Sequence, residues 1–141
     1  SDLRSDLINY KIKTFCKKYK NAHFFKSLGA KNYLSLMKIS NVIIGNSSSG
    51  ILESPSLKVP TINIGSRQDG RIFSKNIVNS NGSYESIYKS IKKVFSKSFL
   101  KKIKNVKNPI FKKNTSVKIK KIIEQKILKE NIKKKIFYDI K

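Results

Sequence analysis

A strand, loop, helix and strand in succession between residues 42 and 64 constrain the fold of this chain more than any other feature. The β-branched run Val42-Ile43-Ile44 is typical of a strand buried on both faces. Small residues fill the loop 45–50, and a helix over about 50–57 leads to a second strand over 59–64. A helix between two such strands is the crossover that parallel strands require. The segment therefore predicts a parallel sheet.

The same alternation extends along the chain and predicts an α/β fold, a Rossmann-like parallel sheet with helices on both faces. Further predicted elements are helices at about 5–19, 32–40 (facing the core), 84–99 and 116–132, and strands at 22–25 and 41–44. Pro55 is expected to bend or shorten the helix over 50–57. Residues 66–83 are expected to be loop-rich, with a short apolar run at Ile77-Val78.

The loop after the first strand has the chemistry of an anion site. Asn46 and the hydroxyl residues Ser47, Ser48 and Ser49 lead into Gly50, so a ligand can approach the backbone closely. A helix that starts here offers amides without intrahelical partners and the positive end of its dipole. The serine hydroxyls add donors for phosphate oxygens.

Three charged residues extend this pattern. Arg67 and Arg71 follow the next strand, on the same carboxyl edge of a parallel sheet, where a guanidinium can bind a diphosphate through two hydrogen bonds. Glu53 would repel phosphate, but its carboxylate can accept both hydroxyls of a ribose one unit away.

Simpler interpretations remain open for each part. Gly, Asn and Ser dominate ordinary turns, so the loop could be only a turn. Glu53 could merely complement a helix dipole. The order of the features favours a phosphate or nucleotide site: a strand, a loop of small residues, the start of a helix, a second strand and a pair of arginines.

Length and composition limit the alternatives. The chain has 141 residues, enough for one domain, 1–141, and its first residue is not Met, so we expect part of a longer polypeptide. One cysteine, Cys16, excludes an internal disulfide and favours a reducing, cytoplasmic location. The lone histidine, His23, excludes a His/Cys zinc cluster and is expected to be structural. No apolar stretch is long enough for a membrane span, so no membrane association is expected.

The net charge of +24, from 32 basic and 8 acidic residues, raises the alternative of a basic nucleic-acid-binding module. The excess is almost entirely lysine, spread from Lys11 to Lys141, and there are only three arginines. Sequence-specific readers rely on arginine with interleaved aromatics. We therefore expect no specific nucleic-acid partner.

The motif Gly45-Asn46-Ser47-Ser48-Ser49-Gly50-Ile51 with Glu53, followed by Asn63-Ile64-Gly65-x-Arg67-Gln68-x-Gly70-Arg71, resembles the hydrolysing UDP-N-acetylglucosamine 2-epimerases. Ser27-Leu28-Gly29 and the ending Lys135-Ile136-Phe137-Tyr138-Asp139 are also similar to that family. Its enzymes have two Rossmann-like domains in the GT-B arrangement. The resemblance covers the carboxyl-terminal, UDP-binding half and implies that the amino-terminal domain is absent.

The resemblance implies roles for individual residues. Asn46, Ser47, Ser48, Ser49 and Gly50 would form the diphosphate loop. Glu53 would bind the ribose hydroxyls, and Arg67 would pair with phosphate. The backbone at Leu28 would border the uracil, and Arg71 would brace the loop or close the domains. The residues Asn108-Pro109-Ile110-Phe111-Lys112-Lys113 replace the family's Asn-Pro-Tyr-Gly, and their role is left open.

The family reaction eliminates UDP across C1–C2 to give a 2-acetamidoglucal and then adds water to release N-acetylmannosamine for sialic-acid-type synthesis. The resemblance implies no cofactor, no metal and no catalytic residue in this half, since the acid/base groups lie in the absent half. The implied partners are a UDP-sugar, the amino-terminal domain and, at full length, further copies in a homo-oligomer. A close alternative is a hydrolysing 2-epimerase for UDP-2,4-diacetamido-trideoxyhexose in a legionaminic-type pathway.

Overall fold

The structure, a computed structural model, describes residues 5–130 and contains short strands between helices. In chain order the elements are α1 (Ser5–Lys18), α2 (Gly29–Ile39), β1 (Ile43–Gly45), α3 (Ser49–Leu52), α4 (Ser54–Leu57), β2 (Thr61–Ile64), β3 (Ile77–Ser80), α5 (Tyr84–Val94), α6 (Lys97–Ile103) and α7 (Thr115–Glu130). None of the described helices has the length and apolar character needed to cross a membrane.

The strands form one parallel sheet in the order β1-β2-β3, which confirms the predicted α/β class. Thr61 pairs with Ile43 on one side and with Ile77 on the other. β3 is the element that the sequence did not reveal, because only Ile77 and Val78 are apolar in it.

Helices cover both faces of the sheet. Successive residues of β2 point to opposite faces, so this strand contacts both layers of helices. Ile62 is fully buried in an apolar cluster with Val94 and Phe99, which come from α5 and α6. Thr61 points to the other face, where its hydroxyl donates to Ser54 Oγ in α4 at 2.8 Å. Burial of an isoleucine side chain such as Ile62 stabilises a fold by about 1.5–3 kcal/mol.

Two predicted helices are each divided in the structure. The helix over 50–57 is two single turns, α3 and α4, separated at Glu53. Pro55 lies in the first turn of α4, where its missing N–H breaks no intrahelical bond. The helix over 84–99 ends at Val94, and Ser96 caps a new helix by accepting a hydrogen bond from the Phe99 amide at 3.3 Å.

The amino-terminal part of the chain differs most from expectation. Residues 22–25, predicted as a strand, have no regular secondary structure, because no described strand lies beside them. α1 agrees with the prediction, but α2 begins earlier than predicted and buries only Met37 instead of facing the core with a whole side. Residues 131–132 of the last predicted helix, and the ending at 135–139, lie outside the described residues.

Candidate functional site

Two loops leave the sheet at the carboxyl ends of neighbouring parallel strands. The first runs from the last residue of β1 into the start of α3, residues 45–50, and is called the serine loop. The second, residues 65–71, follows β2 and is called the arginine loop. Ligands of parallel α/β sheets bind beyond this edge. Gly45 begins the serine loop at φ +154°, a backbone conformation that L side chains rarely adopt.

The serine loop closes a tight turn with its own backbone. The amides of Gly50 and Ile51 donate to the carbonyls of Ser47 and Ser48 at 3.1 and 2.9 Å. We expected the Gly50 amide to be a free donor, and the structure shows it engaged in the turn. α3 has four residues, so its dipole is also smaller than that of the predicted helix. The amides of Ser47 and Ser48 are not used inside this turn.

Hydroxyl groups cluster at the same loop. Ser47 Oγ and Ser49 Oγ are 3.2 Å apart, and the Ser49 amide reaches Ser47 Oγ at 3.4 Å. Ser49 Oγ is also hydrogen-bonded to the hydroxyl of Tyr33, which lies on α2. The loop therefore presents several rotatable donors side by side, as an oxyanion requires.

Gln68 joins the two loops. Its Nε2 donates to the carbonyl of Asn46 at 2.7 Å, across 22 positions of the chain. Gln68 is buried, and its Oε1 has no hydrogen-bond partner among the described residues. This bond fixes the arginine loop against the serine loop, so the two halves of the sequence motif lie together.

The two arginines of the arginine loop are both exposed. The turn that carries them is closed by the Asp69 amide, which donates to the Ser66 carbonyl at 2.9 Å, and by the Arg71 amide, which donates to the Gln68 carbonyl at 3.3 Å. Both arginines thus bring positive charge to the edge of the sheet at which ligands bind.

One carboxylate oxygen of Glu53 has no hydrogen-bond partner in the described structure. Its Oε2 is buried and accepts no hydrogen bond. Glu53 borders a groove of about 320 Å³ whose lining is mainly apolar, with Leu34, Leu52, Ile110 and Phe111. An acceptor beside apolar walls suits a group with hydroxyls and a hydrophobic face, such as a ribose.

Asn108 orders the loop that departs from the family pattern. Its Nδ2 donates to the Leu52 carbonyl at 2.8 Å and to Ser56 Oγ at 2.7 Å, so the loop is attached to α3 and α4. Ile110 and Phe111 follow and form one wall of the groove beside Glu53.

The remaining predicted positions are less constrained. Leu28 is half-buried and precedes α2, while Asn46 is exposed and contributes only its carbonyl to a described bond. His23 is exposed rather than part of the core, and Cys16 is half-buried.

Sequence reasoning missed three contributors to the site. Gln68 stands inside the recognised motif, but nothing in its spacing shows that it bonds to Asn46. Tyr33 lies in the helix predicted to face the core, and nothing in its spacing shows that its hydroxyl bonds to Ser49. Phe111 follows Asn108, whose amide could have indicated an anchored loop.

A sequence model described as UDP-N-acetylglucosamine 2-epimerase matches residues 3–124 of the chain. Over 99% of its length the chain is 39% identical to the polysialic acid biosynthesis protein P7 of Escherichia coli, of which it covers 36%. It is 47% identical over 66% of its length to the GDP/UDP-N,N'-diacetylbacillosamine 2-epimerase (hydrolyzing) of Campylobacter jejuni, of which it covers 24%.

A third relative is the UDP-N-acetylglucosamine 2-epimerase of Neisseria meningitidis serogroup B, with 35% identity over 56% of the chain and 22% of the relative. The chain thus spans at most about a third of these relatives. Its match to the family model includes the serine loop, the arginine loop and the strands that carry them. The chain belongs to the UDP-N-acetylglucosamine 2-epimerase family.

Proposed function

We propose that this chain is the UDP-binding part of a hydrolysing UDP-N-acetylglucosamine 2-epimerase, whose complete form releases UDP and N-acetylmannosamine for sialic-acid-type synthesis. The family match supports this proposal, and so does the similarity of 99% of the chain to part of a polysialic acid biosynthesis protein. The remaining part of the enzyme would supply the groups that move protons.

In this proposal the diphosphate lies against the serine loop. The hydroxyls of Ser47 and Ser48 and the amides not used by the turn donate to its oxygens. Arg67 supplies positive charge from the arginine loop, and Arg71 braces that loop or closes it over the ligand. Glu53, which borders the apolar groove, accepts the ribose hydroxyls through its carboxylate.

The observation that carries the proposal is the hydrogen bond from Gln68 Nε2 to the Asn46 carbonyl. It holds a loop rich in hydroxyl groups beside a loop that carries two arginines, at the edge of the sheet where ligands bind. An ordinary turn would need no such connection to a second motif.

Calorimetric titration of the 141-residue chain with UDP tests the proposal. We expect binding that each of Ser48→Ala and Glu53→Gln weakens about three- to tenfold or more. Ser48→Ala removes a hydroxyl donor to phosphate, and Glu53→Gln replaces one acceptor oxygen for the ribose hydroxyls with an amide donor. Ser98→Ala and Glu85→Gln are matched controls at exposed positions of α6 and α5. Affinity for UDP that is unchanged in both site variants contradicts the assignment.

A second candidate differs only in the sugar. The highest of the reported identities, 47%, is to an enzyme named for diacetylbacillosamine, which favours a UDP-2,4-diacetamido-trideoxyhexose as the substrate. Nuclear magnetic resonance of the product that the full-length enzyme releases separates the two candidates. N-acetylmannosamine supports the first, and a diacetamido-trideoxyhexose supports the second.

The isolated chain should not turn over either UDP-sugar, because the proposed site contains binding groups and no acid/base pair. An assay for released UDP with the 141-residue chain checks this expectation. Turnover above the rate without protein would place catalytic groups inside this chain.

A further inference from the structure

The hydroxyl groups of Tyr33, Ser49 and Ser47 form a hydrogen-bonded chain that runs from α2 to the serine loop. Ser49 Oγ is in the middle, bonded to the Tyr33 hydroxyl on one side and to Ser47 Oγ at 3.2 Å on the other. Tyr33 and Ser47 are exposed residues, and Ser49 is half-buried. We call these three groups the hydroxyl chain. One of its ends is on a helix, and the other is at the surface of the loop.

The protons of the hydroxyl chain decide what Ser47 can offer to a ligand. Each hydroxyl has one proton to donate and can also accept. If Ser49 donates to Tyr33, its proton is used, and the bond between Ser47 and Ser49 then requires the proton of Ser47. If Tyr33 donates to Ser49, the proton of Ser49 can go to Ser47 Oγ. The proton of Ser47 is then free for an acceptor outside the chain, and only this direction presents a donor at the exposed loop.

Two features favour the direction in which Tyr33 donates. A phenol is a stronger hydrogen-bond donor than an aliphatic hydroxyl, and successive hydrogen bonds in one direction polarise each other. The Ser49 amide also donates to Ser47 Oγ, at 3.4 Å, so Ser47 Oγ is already an acceptor from this residue. A phosphate beside Ser47 would stabilise the same direction, because its ionised oxygens only accept.

We propose that Tyr33 is a positioning residue for the diphosphate of the UDP-sugar. By donating to Ser49 it directs the hydroxyl chain so that Ser47 donates to a phosphate oxygen. The inference rests on the proposed function, in which the serine loop holds the diphosphate, and it adds a residue from outside the serine and arginine loops. Tyr33 acts through Ser49 and does not itself contact the phosphate.

Calorimetric titration with UDP tests the inference in Tyr33→Phe, which removes the hydroxyl and keeps the ring. We expect the dissociation constant of the 141-residue chain for UDP to rise about three- to tenfold, because Ser47 can then donate back to Ser49. The affinity for uridine, which has no phosphate, should stay the same. Tyr84→Phe makes the same change at an exposed position of α5 and should leave UDP affinity unchanged.

A second variant, Ser49→Ala, separates positioning from packing. It removes the middle of the hydroxyl chain, so adding Tyr33→Phe to it should weaken UDP binding no further. A Tyr33 that only supports the fold would lower the affinity by the same factor in both backgrounds. A thermal melt checks that each variant folds.

Nuclear magnetic resonance of the tyrosine ring carbon that bears the hydroxyl gives a spectroscopic readout. The signal of Tyr33 is identified by its absence from the spectrum of Tyr33→Phe. We expect UDP to shift this signal in the wild-type chain, because the bound phosphate fixes the direction in which Tyr33 donates. The shift should be lost in Ser49→Ala.

Failure of this inference differs from failure of the proposed function. A wild-type chain that does not bind UDP overturns both. If the wild-type chain binds UDP, four results overturn the role of Tyr33 alone. They are unchanged UDP affinity in Tyr33→Phe, an equal loss of uridine affinity in that variant, an equal effect of Tyr33→Phe in the Ser49→Ala background, and a Tyr33 signal that UDP does not shift.

Discussion

At the scale of single residues, hydrogen bonds among buried polar side chains hold the elements around the serine loop together. Ser54 Oγ donates to the Gly50 carbonyl at 2.7 Å and accepts from Thr61 and Asn76 at 2.8 and 2.9 Å. That network ties α4 to the sheet. Beside it, Glu53 Oε2 and Gln68 Oε1 are buried without a partner in the described structure. These are two of five buried side-chain oxygens without a partner among the described residues, and another, Asn76 Oδ1, belongs to the network around Ser54.

Gln68→Leu should weaken UDP binding while changing the thermal midpoint little. The substitution removes the hydrogen bond to Asn46 and also removes the unpartnered Oε1, so the two effects on stability oppose each other. The serine loop loses its connection to the arginine loop, and the dissociation constant for UDP should rise about three- to tenfold. Calorimetric titration and a thermal melt measure the two quantities.

The control for this variant is Gln125→Leu, which makes the same chemical change at an exposed position of α7. It should leave both UDP affinity and thermal midpoint unchanged. If Gln68→Leu binds UDP as tightly as the wild-type chain, the bond to Asn46 does not position the loop for a ligand.

At the scale of helices and strands, the sequence predicts elements whose pattern is long or strongly apolar. α1 and α7 follow from helical spacing, and β1 and β2 follow from β-branched runs. β3 could not be predicted, because Asn79 and Ser80 are polar and pairing with β2 makes them a strand. The reverse holds for residues 22–25, which have an apolar pattern but no described partner.

The candidate site likewise has one part that the sequence predicts and one part that it does not. That the serine and arginine loops share one edge is predictable, because parallel strands end at the same side of a sheet. The groove beside Glu53 is not predictable, because Leu34 and Phe111 are far apart in the chain and meet only in the folded structure. Tertiary contacts, and not local propensity, decide such positions.

Gly50→Ala tests the packing of α3 on β2. A Cβ at this position would lie 3.1 Å from Thr61 Cγ2, and the Thr61 side chain is held by its hydrogen bond to Ser54. Alanine normally stabilises a helix relative to glycine by about 0.5–1 kcal/mol. Here we expect the contact to prevail and the free energy of unfolding to fall by about 1–3 kcal/mol, measured by urea denaturation.

The control for this packing effect is Ser98→Ala, at an exposed position of α6, which should change the free energy of unfolding by less than about 0.5 kcal/mol. A Gly50→Ala chain that is more stable than the wild type would show that the Thr61 side chain in β2 can move away from the added methyl group. Glycine would then not be required for packing at this position.

At the scale of the whole molecule, positive charge is spread over the surface. Lysines occur on every one of the longer helices, from Lys11 in α1 to Lys126 in α7. The ion pair between Lys120 and Glu124, 3.7 Å apart, joins exposed side chains and contributes little. The proposed ligand site is thus one anion site within a generally cationic surface.

This charge distribution predicts RNA binding that depends on charge alone. Each phosphate neutralised by a lysine releases a counterion, so affinity should fall steeply with salt and be lost by about 150 mM. A filter-binding series with a mixed-sequence RNA measures the fall, and poly-aspartate serves as a polyanion without bases. We expect poly-aspartate to displace RNA, because both bind through their negative charge. We expect 1 mM UDP to leave RNA retention unchanged at low salt, because the UDP site covers a small part of the cationic surface. RNA that remains bound at 150 mM salt and resists poly-aspartate would require contacts to bases, and the basic nucleic-acid-binding module would then replace the epimerase assignment of this surface.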